Sequence, residues 1–207
     1  MGEIFMKCEK TMYKVKGFTL IEMIVVIAII GVLSAILIVS ISNYVEEANN
    51  VADIQQAKDL CTLLEAEVAL DPNVMIPTDN PWPGEENRGH GYVYIDKDEI
   101  RVSSDKIAEK LANNGYIKPE ELNNYTLRGG RERSYSYTNN KCNIFCRSSK
   151  PWIRYQVNFD LDDNGQLKFS YSASRRHDYS PDAEASEDFA GRIGGQADGT
   201  RPMGNDR

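Results

Sequence analysis

The feature that most constrains this chain is the apolar run over residues 20–41, in which Glu22 is the only charged side chain. As an α-helix, the run would be roughly 33 Å long, which is enough to cross the hydrocarbon core of a bilayer. A charged side chain inside such a segment costs on the order of 2.5–3.5 kcal/mol on insertion. The run is therefore a candidate membrane span, and Glu22 is a candidate functional residue.

A basic residue and a glycine, Lys16 and Gly17, stand directly before the run, followed by Phe18-Thr19-Leu20-Ile21-Glu22. This pattern resembles the N-terminus of type IV pilins and of the related pseudopilins of type II secretion and competence systems. The resemblance implies that a prepilin peptidase cuts after Gly17 and methylates the new amine of Phe18. It also implies that Glu22 faces the Phe18 amine of a neighbouring subunit in the fibre, where the two charges relieve each other's desolvation.

Two other interpretations of the N-terminus are a cleaved secretory signal, with small residues at Ser40 and Ser42, and a plain signal anchor. The apolar run is longer than a usual signal core, and Glu22 would be unusual within one. Many members of the resembled family carry proline at the position of Val39. Because valine does not interrupt a helix as proline does, we expect a continuous helix here.

The charge distribution predicts the orientation of the chain. Residues 1–17 contain four lysines and two glutamates, and basic residues before a span remain on the cytoplasmic side. The full formal charge is −7, and an acidic exterior argues against nucleic-acid binding over the whole surface. The charge pattern therefore predicts a single-pass membrane protein with its C-terminal part outside, and the resemblance implies a cell-surface fibre after assembly.

The resemblance implies an α+β fold in which a long N-terminal helix, with its apolar half protruding, packs on a small antiparallel β-sheet. We expect a leader peptide at residues 1–17, a transmembrane and fibre-core half-helix at 18–42, and a globular domain at 43–173. Residues 174–207 have no apolar period and are rich in glycine, serine and charged residues, which predicts a disordered tail.

The helix is predicted to run over residues 18–70 and to end at Asp71, because the residue before Pro72 leaves the helical region. Its second half has an apolar stripe at helical spacing that would cover the sheet. Most acidic residues, Asp53 among them, are assigned to the opposite face. The stripe consists of Ile54, Ala57, Cys61, Leu64 and Val68.

Two late segments alternate apolar and polar residues, over 153–161 and 167–173, which predicts a β-hairpin. Placing both apolar sets on one face requires a three-residue loop that pairs Leu161 with Leu167, with Gly165 in the left-handed position. A calcium loop is the alternative, but position twelve would be Tyr171 rather than an acid. Earlier segments predict strands at 92–95 and 99–102 and a short helix capped by Ser104.

Cys61, Cys142 and Cys146 remain after removal of the leader. Cys142 and Cys146 are close in a polar stretch, and an exported chain favours a disulfide between them. A metal site is the weaker alternative because the pair supplies two of the four ligands that zinc needs. Cys61 is expected to lie in the core.

Residues 128–154 form a basic stretch with interspersed aromatic residues, opposed by Glu132 alone. Such a patch can hold nucleic acid, as in some competence-type minor pilins, or it can contact an acidic face of the next subunit or remain solvated. DNA is the less favoured partner. The basic residues are Arg128, Arg131, Arg133, Lys141, Arg147, Lys150 and Arg154.

The sequence has no recognisable catalytic constellation, so we expect a structural subunit rather than an enzyme, with no cofactor and no metal site. The expected partners are other copies of the chain, the prepilin peptidase, pilus assembly platform proteins, and the membrane before assembly. A secretion or competence pseudopilin and a tip pilin that binds DNA or another surface ligand are the alternatives.

The cleavage motif can be checked directly on the mature chain. Mass spectrometry of the N-terminal peptide should show methylated Phe18, because the resemblance implies both cleavage after Gly17 and methylation of the new amine. An intact leader, or a mature chain that begins at Asn43, would exclude this processing.

Overall fold

The computed structural model describes residues 17–75, 90–121, 126–127, 135–138, 142–162, 164–176, 178, 180–200 and 203. The chain divides into two units, Met1–Asn43 and Tyr44–Arg207. Helix α1 (Leu20–Leu70) supplies residues to both units.

In the first unit, α1 begins at Leu20 and continues without interruption through Val39, as expected for a chain that lacks proline there. The helix contains a window with a mean hydropathy of 3.2, and none of that window is buried. By length and composition, this part of α1 can cross a membrane.

In the second unit, the described residues form a seven-stranded sheet in the order β3-β4-β2-β1-β5-β6-β7. Each neighbouring pair is antiparallel except β6 and β7, which are parallel. The strands are β1 (His90–Ile95), β2 (Glu99–Val102), β3 (Thr126–Leu127), β4 (Tyr135–Thr138), β5 (Arg154–Leu161), β6 (Leu167–Ser174) and β7 (Gln196–Ala197).

The second half of α1 packs on this sheet, and its apolar stripe joins one core with Val93, Val157 and Phe159. Four of the five predicted stripe residues are buried, and the fifth, Cys61, is half-buried. Leu60, which the prediction did not include, is fully buried beside them. Helix α2 (Asp105–Asn113) closes another side of the core through its own buried apolar face. Ser104 caps α2 by accepting a hydrogen bond from the amide of Lys106, as predicted. Short 3₁₀ turns at Pro72–Met75 and Pro119–Glu121 complete the described connections.

The β5–β6 hairpin has the predicted register, with Leu161 opposite Leu167 and Phe159 opposite Phe169. Gly165 has a φ of 75°, in the left-handed region that the three-residue loop requires. The Asp162 carboxylate accepts hydrogen bonds of 2.9 Å from the amides of Asn164 and Gln166. These bonds lower the pKa of Asp162, although burial partly opposes them. Asp162 thus stabilises the turn, as expected from turn chemistry.

The prediction of a disordered tail over residues 174–207 is wrong for the described part of that segment. Helix α3 (Ala183–Ile193) is capped by Asp182 at its start and by left-handed Gly194 at its end. Phe189 is fully buried, stacked on Tyr155 at a ring-centroid distance of 4.8 Å and edge-on to Trp152 at 4.9 Å. This segment has few apolar residues, but several of them are fully buried, and composition alone does not predict that burial.

Beyond α3, the chain adds β7 as an edge strand beside β6, and the Asp198 amide donates to the Tyr171 carbonyl at 2.8 Å. Met203 is fully buried and clusters with Tyr92 and Tyr94. The α+β fold, a long helix packed on a mostly antiparallel sheet, is therefore confirmed, with a parallel edge strand in addition.

Replacing Phe189 with alanine tests whether α3 belongs to the core. Removing a fully buried aromatic ring should lower the free energy of unfolding by about 3–5 kcal/mol. Urea unfolding of the detergent-solubilised chain measures the loss, with Glu187→Ala on the exposed face of α3 as the control. An unchanged unfolding midpoint for Phe189→Ala would show that the tail does not pack.

Candidate functional site

The predicted cleavage junction lies outside helical structure. Gly17, Phe18 and Thr19 precede the first turn of α1, and Phe18 is 75% exposed. No heavy atom lies within 4 Å of the position where a Cβ on Gly17 would be. The peptide bond between Gly17 and Phe18 is thus open in the described part of the chain, as a protease substrate requires.

Thr19 and Glu22 form a capping box at the start of α1. The amide and the hydroxyl of Thr19 each donate to Glu22 Oε2 at 2.7 Å, and the Glu22 amide approaches Thr19 Oγ1 at 3.4 Å. This arrangement satisfies amides that have no partner within the helix, and a negative charge near a helix N-terminus is favourable. The carboxylate of Glu22 is therefore fixed one turn from Phe18, the residue whose amine cleavage would release.

The second candidate site joins the helix to a loop and was missed by the sequence interpretation. Asp53, assigned to the exposed face, is fully buried and accepts hydrogen bonds from the amides of Arg147 at 2.9 Å and Ser148 at 3.0 Å. The indole of Trp152 donates at 3.1 Å and the thiol of Cys146 at 3.3 Å. Several hydrogen bonds compensate a carboxylate for the loss of water, which explains how this acid can be buried.

Three further polar residues on the same side of α1 hold this loop. Glu46 accepts from the hydroxyl of Ser149 and the amide of Lys150, both at 2.7 Å. Asn50 bonds to the hydroxyl of Ser148, and Gln56 bonds to Tyr155 and to the guanidinium of Arg147. We call the contacts of Glu46, Asn50, Asp53 and Gln56 with residues 146–155 the helix–loop clamp. The spacing of these four residues, four and then three and three, is a helical period that could have revealed the face from sequence.

The predicted disulfide between Cys142 and Cys146 is not formed in the structure. The thiol of Cys146 is directed to Asp53 instead, whereas Cys142 lies in an isolated β-bridge with Ile117. Burial, and then the nearby charge of Asp53, raise the pKa of Cys146. Burial also raises the pKa of Cys61 to about 11, so both thiols remain protonated at neutral pH and react slowly.

The structure describes three members of the predicted basic patch, namely Arg147, Lys150 and Arg154. Arg128, Arg131, Arg133 and Lys141 lie outside the described residues. Arg154 is buried and pairs with Asp96 at 3.1 Å, and Trp152 and Tyr137 are buried as well. The half-buried Arg147 lies over the Phe145 ring at 4.9 Å, and Lys150 is exposed. Within the described residues, Arg147 and Lys150 are the members of the patch that remain near the surface.

No group of three or more histidine, cysteine or acidic side chains among the described residues is placed to hold a metal ion.

Comparison with known proteins identifies the N-terminal site. A family model described as the prokaryotic N-terminal methylation motif matches residues 12–38. The chain therefore carries the signature of type IV pilins and pseudopilins, at the residues that surround the open junction and the capping box. Neither the curated proteins nor the solved structures include a match to the chain.

Glu46, the first residue of the clamp along α1, should make the free energy of unfolding depend on pH. The pKa of Glu46 is lowered from its ordinary value of 4.5: burial raises it, but hydrogen bonds from Ser149 and Lys150 and the charge of Lys97 outweigh burial. Because the folded pKa is depressed, the stabilisation is fully present above the unfolded value and is lost as the pH falls through the folded one.

Glu46→Gln should therefore lower the unfolding midpoint at pH 7, and the difference from the unmodified chain should shrink as the pH falls below about 4.5. Denaturant unfolding of the solubilised chain across a pH series measures this, with the exposed Glu187→Gln as the control. A difference that stays constant with pH would contradict a role for the Glu46 charge.

Proposed function

We propose that this chain is a structural subunit of a type IV pilus-like surface fibre. In this proposal, a prepilin peptidase cuts after Gly17 and methylates Phe18, and the mature chain then assembles by self-association. The observation that carries the proposal is the methylation motif on an open, non-helical junction directly before an exposed apolar helix. Proteins with this motif are structural subunits rather than enzymes, and the proposal assigns no catalytic residue.

Exposed apolar surface is the physical reason for assembly. The large apolar side chains of residues 20–41 are half or more exposed at nearly every position, for example Leu20 at 80% and Ile38 at 64%. Water strongly disfavours so much contiguous apolar area. A bilayer covers it before assembly, and the same segments of neighbouring copies cover it in the fibre. Assembly platform proteins would guide the transfer from one environment to the other.

Glu22 gives this apolar association its register. Cleavage leaves a positively charged amine on Phe18, which is expensive to bury alone. A neighbouring Glu22 carboxylate is the natural partner, and the capping box already holds that carboxylate at the start of the helix. Pairing of the two groups would favour one axial offset between copies over others, because an offset without the pair leaves two charges unpaired in an apolar core.

A pseudopilin of a secretion or competence system carries the same motif, and the same processing and assembly steps apply to it. The burial of Arg154 and Trp152 counts against the DNA-binding alternative, because it removes a cation and an aromatic ring from the candidate surface.

The role of Glu22 can be separated from membrane anchoring by mutation. Glu22→Ala should leave insertion intact or improve it, because a charge is removed from the apolar segment. Fibre formation should fail or slow, because the Phe18 amine loses its partner. Membrane fractionation and electron microscopy of surface fibres measure the two effects.

The matched control is Asp59→Ala, which removes an exposed carboxylate from the same helix within the domain. Normal fibres from Glu22→Ala would refute the proposed pairing. Equal loss of fibres from both variants would point instead to a general requirement for acidic charge on α1.

A further inference from the structure

The helix–loop clamp occupies a particular place along the covalent path. The chain enters the second unit at Tyr44, whereas the first buried apolar residue of α1 in that unit is Ile54. Over the intervening turns, α1 makes a series of polar contacts: Glu46, Asn50 and Asp53 bind the loop, and Glu47 pairs with Arg192. The clamp is thus the first extensive attachment that a load entering along α1 would meet.

The contacts in this region differ in how strongly they resist opening. The four donors to Asp53 all come from residues 146–152, so separation of the loop would strip a buried carboxylate of every one of these partners together. Leaving a buried charge unpaired is strongly unfavourable. The Glu47–Arg192 pair is exposed, with side chains 59% and 35% accessible, and water readily replaces it.

The clamp also reaches beyond the loop. The indole N–H of Trp152 binds Asp53, while its ring packs edge-on against Phe189 of α3 and lies under the guanidinium of Arg192 at 5.7 Å. These contacts connect Asp53 to α3 and, through Phe189 and Tyr155, to strand β5.

We propose that the helix–loop clamp is the joint that carries tension from α1 to the globular domain when the fibre is pulled, with Asp53 as its central residue. This inference rests on the proposed fibre function. Tension along a fibre whose core is built from α1 reaches each domain through the helix, and the clamp resists the first step by which domain and helix would separate.

The test uses the full chain with Asp53→Asn, which keeps the shape of the side chain but turns one acceptor oxygen into an N–H₂ group that faces donors. Asp59→Asn is the matched control, because Asp59 is exposed and lies six residues further along α1. The first measurement is amide hydrogen exchange at Arg147 and Ser148 in detergent. The second is the fraction of surface fibres that remain intact after graded shear.

We expect Asp53→Asn to speed exchange at both amides at least tenfold and to give fibres that form but break or lose subunits at shear that spares the control. Unchanged exchange, or fibres as shear-resistant as those of the control, would overturn the proposed mechanical role of the clamp. If Asp53→Asn does not fold, Ser148→Ala, which removes the bond to Asn50 and keeps the Asp53 contacts, gives the same comparison with a smaller expected effect.

The outcome for the unmodified chain separates the two proposals. If it forms no surface fibre in cells that carry the assembly machinery, the fibre function is overturned, and the mechanical role of the clamp, which depends on it, is overturned as well. If fibres form and the clamp variants match the control in both measurements, the fibre function stands and the clamp proposal alone is refuted.

Discussion

The domain depends on the burial of one face of α1 against the sheet, and a buried carboxylate lies near the start of that face. Asp53 follows the buried Asn50 along α1, and Ile54 and Ala57 continue the face into the apolar core. Its hydrogen bonds fix residues 146–152, and that loop brings Trp152 under α3. Because the donors are specific and the carboxylate is fully buried, these hydrogen bonds fix the position of the loop. Asp53 therefore connects α1 to the loop directly and to α3 through Trp152, whose ring packs on Phe189.

One helix meets two different environments. In the second unit, α1 buries a stripe of side chains and satisfies its polar residues with hydrogen bonds to the loop. Over residues 20–41, its apolar side chains are exposed, and Glu22 is held by Thr19 at the helix start. In an isolated chain, this apolar surface would be exposed to water, which is unfavourable, so lipid or another protein is expected to cover it. The fibre proposal follows from this requirement together with the methylation motif.

Local patterns predicted much of the structure. The motif, the continuous helix, the Ser104 cap and the register that pairs Leu161 with Leu167 all depend on residues close in sequence. The missed features depend on distant partners. Asp53 is buried because donors more than ninety residues away surround it, and the tail orders because Phe189 finds an aromatic cluster. The structure does not contain the predicted disulfide between Cys142 and Cys146. Proximity along the chain does not fix the direction of a thiol, and that of Cys146 is directed to Asp53.

In the proposed fibre, residues 18–41 form the core, and the Phe18 amine meets the Glu22 carboxylate of a neighbour. The decisive experiment is a cryo-electron microscopy reconstruction of fibres sheared from cells that express this chain. We expect α1 segments packed along the fibre axis, with methylated Phe18 within hydrogen-bonding distance of Glu22 of an adjacent copy. A fibre built without this chain, or one in which the Phe18 amine faces solvent or lies far from every Glu22, would contradict it.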